Sequence, residues 1–167
     1  MPKNSRVNFL KNVKVISVSP CEEDQTALER IFARAPWPLC PDSTWDLQAV
    51  PGLSTALPVL RRDPPALVLC ERDLGDCTWR EMLAHVCDLP QPPFLIVTSR
   101  HADDRLWAEA LNLGAYDVLA KPFDASEVVR TLSMAWLYWN HRLSVEARRT
   151  ATAWPPMGLR AKVSVAV

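Results

Sequence analysis

Three side chains with chemical potential follow apolar segments of this 167-residue chain. Glu71 ends the unbroken apolar run 64–70, and Thr98 and Lys121 follow the two later apolar runs. A short run of this kind, without polar alternation, is typical of a strand buried on both faces. Parallel strands end at the carboxyl edge of the sheet, where open α/β folds place their chemistry. The pattern therefore predicts a carboxylate, a hydroxyl and an amine at one edge.

The elements that must position these residues alternate along the chain. Strands are expected at 13–18, 44–49, 64–71, 94–97 and 116–120, and helices at 22–35, 54–61, 78–89, 103–113 and 124–149. This alternation predicts an α/β fold with a parallel sheet and right-handed crossovers. The second strand is the most polar and is expected at an edge. Pro58 predicts a short, bent or irregular second helix, because proline removes a backbone hydrogen bond.

The chain is expected to form one domain. Residues 1–12 read as a polar leader, 13–149 as the domain with its long last helix, and 150–167 as a tail. Asp124 or Ser126 is expected to cap that helix, whose ~24 residues would span about 36 Å. Gly114 is expected to end the fourth helix.

The amino-acid composition limits the classes of function that the protein can be expected to have. The chain is 49% hydrophobic and 23% charged, as in globular proteins, and its 19 basic and 19 acidic side chains cancel. This balance gives no bulk electrostatic reason to expect nucleic acid or an anionic membrane as a partner. No apolar stretch approaches the ~20 residues of a membrane span, so we expect a cytoplasmic protein. The five cysteines lack paired spacing for zinc, and Cys70 and Cys87 are expected to be buried thiols.

Three segments together resemble the receiver domain of bacterial two-component response regulators. Segment 65–71 is similar to the family's third strand, 95–99 to its fourth strand, and 114–123 to its fifth strand with the Lys-Pro-Phe motif. The resemblance covers roughly residues 12–140. It implies a flavodoxin-like three-layer sandwich with strand order 2-1-3-4-5, five helices and a cis peptide bond at Lys121-Pro122.

The resemblance also implies a set of chemical roles. In the family, two acids after the first strand and an aspartate after the third hold magnesium, and the aspartate accepts a phosphoryl group. A hydroxyl residue and the lysine contact that group, and an aromatic residue in the fifth strand responds to it. Thr98 and Lys121 match these roles in our sequence.

The remaining positions depart from the family pattern. The acid pair falls on Ser19 and Pro20, the phosphoacceptor position holds Glu71, and the switch position holds Val118, with Tyr116 two residues earlier. We therefore expect no catalytic residue, no cofactor and no bound magnesium. Two options stay open for metal or phosphate: a shifted loop could present an acid from 22–24, and Asp73 could substitute as acceptor.

The preferred hypothesis is a degenerate, stand-alone receiver, not an enzyme, that acts through phosphorylation-independent protein contacts. In it, Glu71 and Lys121 form an ion pair that either fixes a conformation resembling the phosphorylated state or merely survives in a dead site. The alternative is a working phosphoacceptor that takes a phosphoryl group from a histidine kinase. A nucleotide- or flavin-binding domain is disfavoured, because the four glycines form no phosphate loop.

Aromatic residues near the end of the last helix indicate where partners bind. Trp136, Tyr138 and Trp139 could extend the surface made by the fourth helix, fifth strand and fifth helix, through which receivers commonly pair. A homodimer through this face is preferred, with a histidine kinase or a downstream signalling protein as further partners. The alternative is that these rings pack under the segment 154–156. The small basic excess after residue 141 does not support DNA binding.

Overall fold

The computed structural model describes residues 11–152. The strands are β1 Lys11–Val18, β2 Ser43–Val50, β3 Leu67–Glu71, β4 Phe94–Ser99 and β5 Asp117–Ala120. The helices are α1 Glu22–Arg34, α2 Leu53–Arg62, α3 Trp79–Cys87, α4 Asp104–Leu113 and α5 Ala125–Thr152. All strand pairs are parallel, in the order β2-β1-β3-β4-β5. The predicted flavodoxin-like sandwich is confirmed, and polar β2 is an edge strand.

Strand β3 lies at the centre of the sheet and contributes side chains to two hydrophobic layers. Its residues 67–70 are at most 1% exposed. Val68 and Cys70 belong to the layer under α2, α3 and α4, whereas Leu67 and Leu69 belong to the layer under α1 and α5. Because successive side chains in a strand point to opposite faces, one short apolar segment supplies both layers. This explains why the segment shows no polar alternation.

Both ends of the domain extend beyond the expected bounds. Lys11 and Asn12, assigned to the leader, pair with Ser43 and Thr44 as the first residues of β1. Helix α5 continues to Thr152, so its 28 residues span about 42 Å. Residues 1–10 and 153–167 of the leader and tail lie outside the described part of the chain. Within residues 11–152, no helix is long and apolar enough to span a membrane.

Helix α2 is regular despite Pro58. It runs without interruption over ten residues, contrary to the expected irregularity. Pro58 and Ser54 both face solvent, whereas Ala56 and Leu60 are buried. The carbonyl of Ser54, which loses its helical donor at Pro58, therefore lies on the side where water can bond to it.

The predicted helix ends are present. The Asp103 carboxylate accepts the Leu106 N–H at 2.8 Å at the start of α4, and Gly114 ends that helix with a left-handed φ of 104°. At the start of α5 the Asp124 carboxylate accepts the Glu127 N–H at 2.9 Å. A hydrogen bond from the Ser126 hydroxyl and, after it, the one from the Glu127 N–H lower the pKa of Asp124. The Lys121-Pro122 peptide bond is cis, as expected.

The five cysteines are free thiols in different environments. Cys70 is buried on β3, and burial is the main cause that raises its pKa. Burial, followed by the charges of Asp76 and Glu81, raises the pKa of Cys77 to about 11. The prediction of a buried Cys87 was wrong: helix α3 turns other residues inward and leaves this thiol exposed at its last position.

Candidate functional site at the carboxyl edge of the sheet

Backbone pairing brings the three predicted residues to one edge. Glu71 pairs with Thr98 in the β3–β4 register, so the ends of these strands are level. Lys121 follows β5 directly, and its N–H donates to the Ser99 carbonyl at 2.9 Å. The edge predicted from the apolar runs is thus formed, and each residue is delivered by a different strand.

A buried ion cluster occupies this edge. The Lys121 ammonium donates to the carboxylates of Glu71 and Asp24, the latter at 2.5 Å. The side chains of Lys121, Asp24 and Glu71 are 5%, 11% and 14% exposed. Asp24 comes from the first turn of α1, and the sequence leaves open only that one acid of 22–24 binds metal from a shifted loop. The three acids at 22–24 were the available signal, but the pattern does not say which acid turns inward.

The electrostatics of the cluster favour a charged lysine. Burial by itself lowers the pKa of Lys121, because it penalises the ammonium form. The hydrogen bonds to Asp24 and Glu71, together with the two negative charges, outweigh burial and raise the pKa above its ordinary value. The cluster is therefore an ammonium shared between two acidic groups.

Hydrogen bonds to backbone close the β1–α1 loop, where the acid pair is expected to fall on Ser19 and Pro20. Ser19 is buried, and its hydroxyl accepts the Cys21 N–H at 3.2 Å. The Gln25 amide donates to the carbonyls of Ser17, Ser19 and Val50 at 3.1–3.3 Å. These bonds hold the β1–α1 loop against β2. The loop is thus closed by hydrogen bonds, and neither Ser19 nor exposed Pro20 supplies a carboxylate.

The donor set does not fit magnesium. This cation prefers an octahedral shell of oxygen atoms built around carboxylates. The edge offers the carboxylates of Asp24 and Glu71, and both are already bonded to the ammonium of Lys121. Within residues 11–152, no group of three or more histidine, cysteine or acidic side chains is arranged to hold a metal ion.

The other two acids in the first turn of α1, and Asp73, lie away from the cluster. Glu22 and Glu23 are exposed on the first turn of α1. Asp73 is exposed in the β3–α3 loop, where its backbone pairs with Thr78. None of the three is among the partners of Lys121.

Thr98 and Val118 lie beside the cluster, in the sheet itself. Thr98 is 4% exposed, and its carbonyl accepts the Arg72 N–H at 3.0 Å. Val118 pairs with Val97 and packs in the layer under α4. Tyr116 packs against the opposite layer and stacks on Phe94, with ring centroids 5.1 Å apart. The predicted switch position, Val118, is therefore a small buried side chain, and Tyr116 packs on the opposite face of the sheet.

The aromatic residues of α5 divide between core and surface. Trp136 is 8% exposed and stacks on Trp139 at 5.6 Å. The Trp139 indole donates to the Pro92 carbonyl at 3.0 Å. Tyr138 is 56% exposed beside Tyr116. Helical periodicity turns both tryptophans toward the sheet, so of the three proposed interface residues only Tyr138 is mainly exposed. The alternative packing under 154–156 falls outside the described residues.

Comparison with known proteins identifies the fold and the family. The family model described as "Response regulator receiver domain" matches residues 37–133, more than half of the chain. No curated protein matches the sequence at a significant level.

Three similar solved structures are receiver or response-regulator proteins. The signal receiver domain of an HD domain-containing protein from Pseudomonas fluorescens Pf-5 has a TM-score of 0.66 and 22% identity, covering 78% of this chain and 99% of that one. The chemotaxis response regulator CheY4 of Vibrio cholerae has a TM-score of 0.62 and 14% identity, covering 75% and 99%. The beryllofluoride-activated NtrC4 receiver domain dimer has a TM-score of 0.65 and 17% identity, covering 75% and 98%. The chain thus belongs to the response regulator receiver domain family of two-component signalling proteins.

Proposed function

We propose that this receiver domain signals through protein contacts and does not depend on accepting a phosphoryl group. The observation that carries the proposal is the pairing of Lys121 with Glu71 and Asp24 at the edge of the sheet. Phosphoryl transfer depends on positioned cations that stabilise the charge developing on the transferred group. The ammonium of Lys121 is already shared between two carboxylates, and the expected acid-pair positions hold Ser19 and Pro20.

Charge balance strengthens this proposal. Two carboxylates against one ammonium leave the cluster with excess negative charge, which repels an incoming phosphate. A phosphoryl group on Glu71 would also have to take Lys121 from Asp24, and so leave a buried carboxylate without its partner. Both effects oppose the reaction, although Thr98 and Lys121 match the residue types expected at the phosphoryl-contact positions.

Partner binding is proposed at the surface formed by α4, β5 and α5. Receiver domains interact with proteins such as kinases and can dimerise. On this surface α4 exposes Trp107 at 50% and Leu111 at 37%, and α5 exposes Met134 at 38%, Leu137 at 42% and Tyr138 at 56%. Apolar side chains of this size on two neighbouring helices are typical of a protein contact. We assign it to a second copy of the chain, with a kinase or downstream signalling protein as an alternative occupant.

Acetyl phosphate tests the proposal directly. The purified protein is incubated with acetyl phosphate and magnesium, beside a phosphorylatable receiver as positive control, and its intact mass is measured. We expect no phosphoryl adduct on our chain while the control receiver is labelled. The matched variant is Glu71→Gln, which keeps the size of the side chain. An adduct that disappears in Glu71→Gln establishes the working phosphoacceptor, and an adduct that persists places phosphorylation elsewhere; either result overturns the proposal.

A further inference from the structure

We infer that Asp24 is a positioning residue, which with Glu71 holds the Lys121 ammonium as the resident cation of this site in place of a divalent metal ion. This deepens the proposed function, on which it rests in treating the edge as a site that is complete without magnesium or phosphate. The pattern of the family does not assign a role to the position of Asp24. Its assignment comes from the contacts of this chain.

The burial of Asp24 is the first argument. Acidic residues in the first turn of a helix usually lie in solvent, where they interact favourably with the helix dipole. Glu22 and Glu23 follow this rule, but the side chain of Asp24 is only 11% exposed. A buried carboxylate is unfavourable unless it is paired. Its hydrogen bond from Lys121 provides that pairing and explains why this acid turns inward.

The anchoring of Lys121 is the second argument. Its side chain is 5% exposed, and its backbone N–H is bonded to the Ser99 carbonyl at 2.9 Å. An ammonium has three N–H donors, and two of them are directed at the carboxylates of Asp24 and Glu71. The cation is therefore fixed at both ends of its side chain. A metal ion at these carboxylates would have to displace it.

The segments joined by the cluster are the third argument. Asp24 lies 97 residues before Lys121, and Glu71 lies 50 residues before it. One ammonium thus links α1, β3 and the end of β5. Because both acids depend on the same cation, their contributions to stability must be coupled through it.

A double-mutant cycle measures this coupling. Asp24→Asn should lower the Tm by a few degrees. The control variant Glu23→Gln, which changes an exposed neighbouring acid, should leave the Tm nearly unchanged. Lys121→Met leaves the buried carboxylate of Asp24 and the partly buried one of Glu71 unpaired and should lower the Tm by roughly 10 °C. In that background Asp24→Asn should no longer destabilise and should raise the Tm, because it removes the repulsion from Glu71. An equal fall in Tm in both backgrounds would show that Asp24 acts independently of the lysine and would overturn the inference.

Magnesium tests whether the ammonium stands in for a metal ion. Millimolar Mg²⁺ should leave the Tm of the wild-type protein unchanged, relative to a sodium chloride control of equal ionic strength. The same Mg²⁺ should raise the Tm of Lys121→Met, and the rise should vanish in Asp24→Asn/Lys121→Met. A magnesium-specific rise in the Tm of the wild-type protein, or no rise in Lys121→Met, would refute the inference that the ammonium takes the place of a metal ion.

A second cycle applies if Lys121→Met does not fold. Asp24→Asn and Glu71→Gln each leave one carboxylate on the ammonium, whereas the double variant leaves none. Its fall in Tm should therefore exceed the sum of the two single falls, and an additive result would overturn the inference. These outcomes are separate from phosphorylation: labelling by acetyl phosphate would end the proposed function and leave a coupled cycle standing, whereas additivity without labelling would end only the inference.

Discussion

Different interactions stabilise the carboxyl ends and the amino ends of the parallel strands, called here the carboxyl edge and the amino edge of the sheet. At the carboxyl edge one ammonium and two carboxylates form a buried cluster. At the amino edge, Phe94 stacks on Tyr116, and the Arg142 guanidinium lies 4.7 Å from the Phe94 ring centroid. Arg142 and Trp139 also donate to the Pro92 carbonyl. One edge is organised by charge and the other by aromatic packing around α5.

Because of this difference, substitutions at the two ends of the strands should affect stability in different ways. Aromatic packing depends on area and shape, so the loss of one contact is expected to have a graded effect. A buried charge cluster depends on single atoms, and the removal of one member leaves its partners unpaired. The sheet order is that of the family fold, whereas at the carboxyl edge an acid from helix α1 is bonded to Lys121.

The largest loss of stability is expected on substitution of Trp136, which belongs to the aromatic packing around α5. Trp136→Ala removes a buried indole from the layer under α1 and α5 and should lower the free energy of unfolding by about 3–5 kcal/mol. Urea unfolding followed by circular dichroism measures this loss. Trp136→Phe, which keeps an aromatic ring, is the matched control and should cost clearly less. A loss below about 1 kcal/mol for Trp136→Ala would mean that the ring is not part of the core.

The pH dependence of stability tests the contribution of the charge cluster around Lys121. Because folding raises the pKa of Lys121, its stabilising contribution is fully present below the ordinary lysine value of about 10.4 and is lost as the pH rises through the higher folded value. The stability difference between wild type and Lys121→Met should thus be constant from pH 8 to about 10 and shrink above this range. Lys14→Met, which removes an exposed ion pair with Asp63, corrects for the general loss of a lysine. A difference that grows with pH would contradict the sign of the shift.

The scaffold was largely predictable because its signals are local. Unbroken apolar runs located β3 and β4 to within a few residues, since strands buried on both faces leave no room for polar alternation. Asp124 caps the start of α5 and Gly114 ends α4 through bonds to nearby backbone, so residue type alone was informative. The strand order came from the resemblance to receivers, because periodicity does not define which strands are neighbours.

The site was only partly predictable because it depends on the rotation of one helix. Glu71, Thr98 and Lys121 sit at strand ends, and the topology determines where they meet. Asp24 is one of three successive acids, and its inward turn depends on how α1 packs on the sheet. The same limitation applies to Trp136 and Tyr138, whose exposure depends on which side of α5 faces the core. Such orientations are tertiary properties that spacing alone does not specify.

A smaller effect is expected at the hydrogen bond that fastens α5 to the amino edge. Trp139→Phe removes the indole N–H that bonds to the Pro92 carbonyl and keeps an aromatic ring. We expect a loss of about 1–2 kcal/mol in the free energy of unfolding, combining the hydrogen bond and some packing area. Hydrogen exchange should also accelerate at the Gln91 amide, since the other three residues of the 90–93 loop are prolines without an amide hydrogen. Arg142→Lys, which keeps a charge near the same carbonyl, is the companion variant; a neutral Trp139→Phe would assign the fastening to Arg142 alone.

The smallest effect on folding, and the sharpest on assembly, is expected at Tyr138. This side chain is 56% exposed, so Tyr138→Ala should change the free energy of unfolding of the monomer by less than about 0.5 kcal/mol. If the surface formed by α4, β5 and α5 joins two copies, the same variant should shift the sedimentation equilibrium toward monomer. Leu39→Ala is the matched control, since Leu39 is 50% exposed in the α1–β2 loop. Equal weakening by both variants, or a wild-type protein that stays monomeric at high concentration, would show that this surface does not join two copies and would leave its exposed apolar residues to a different partner.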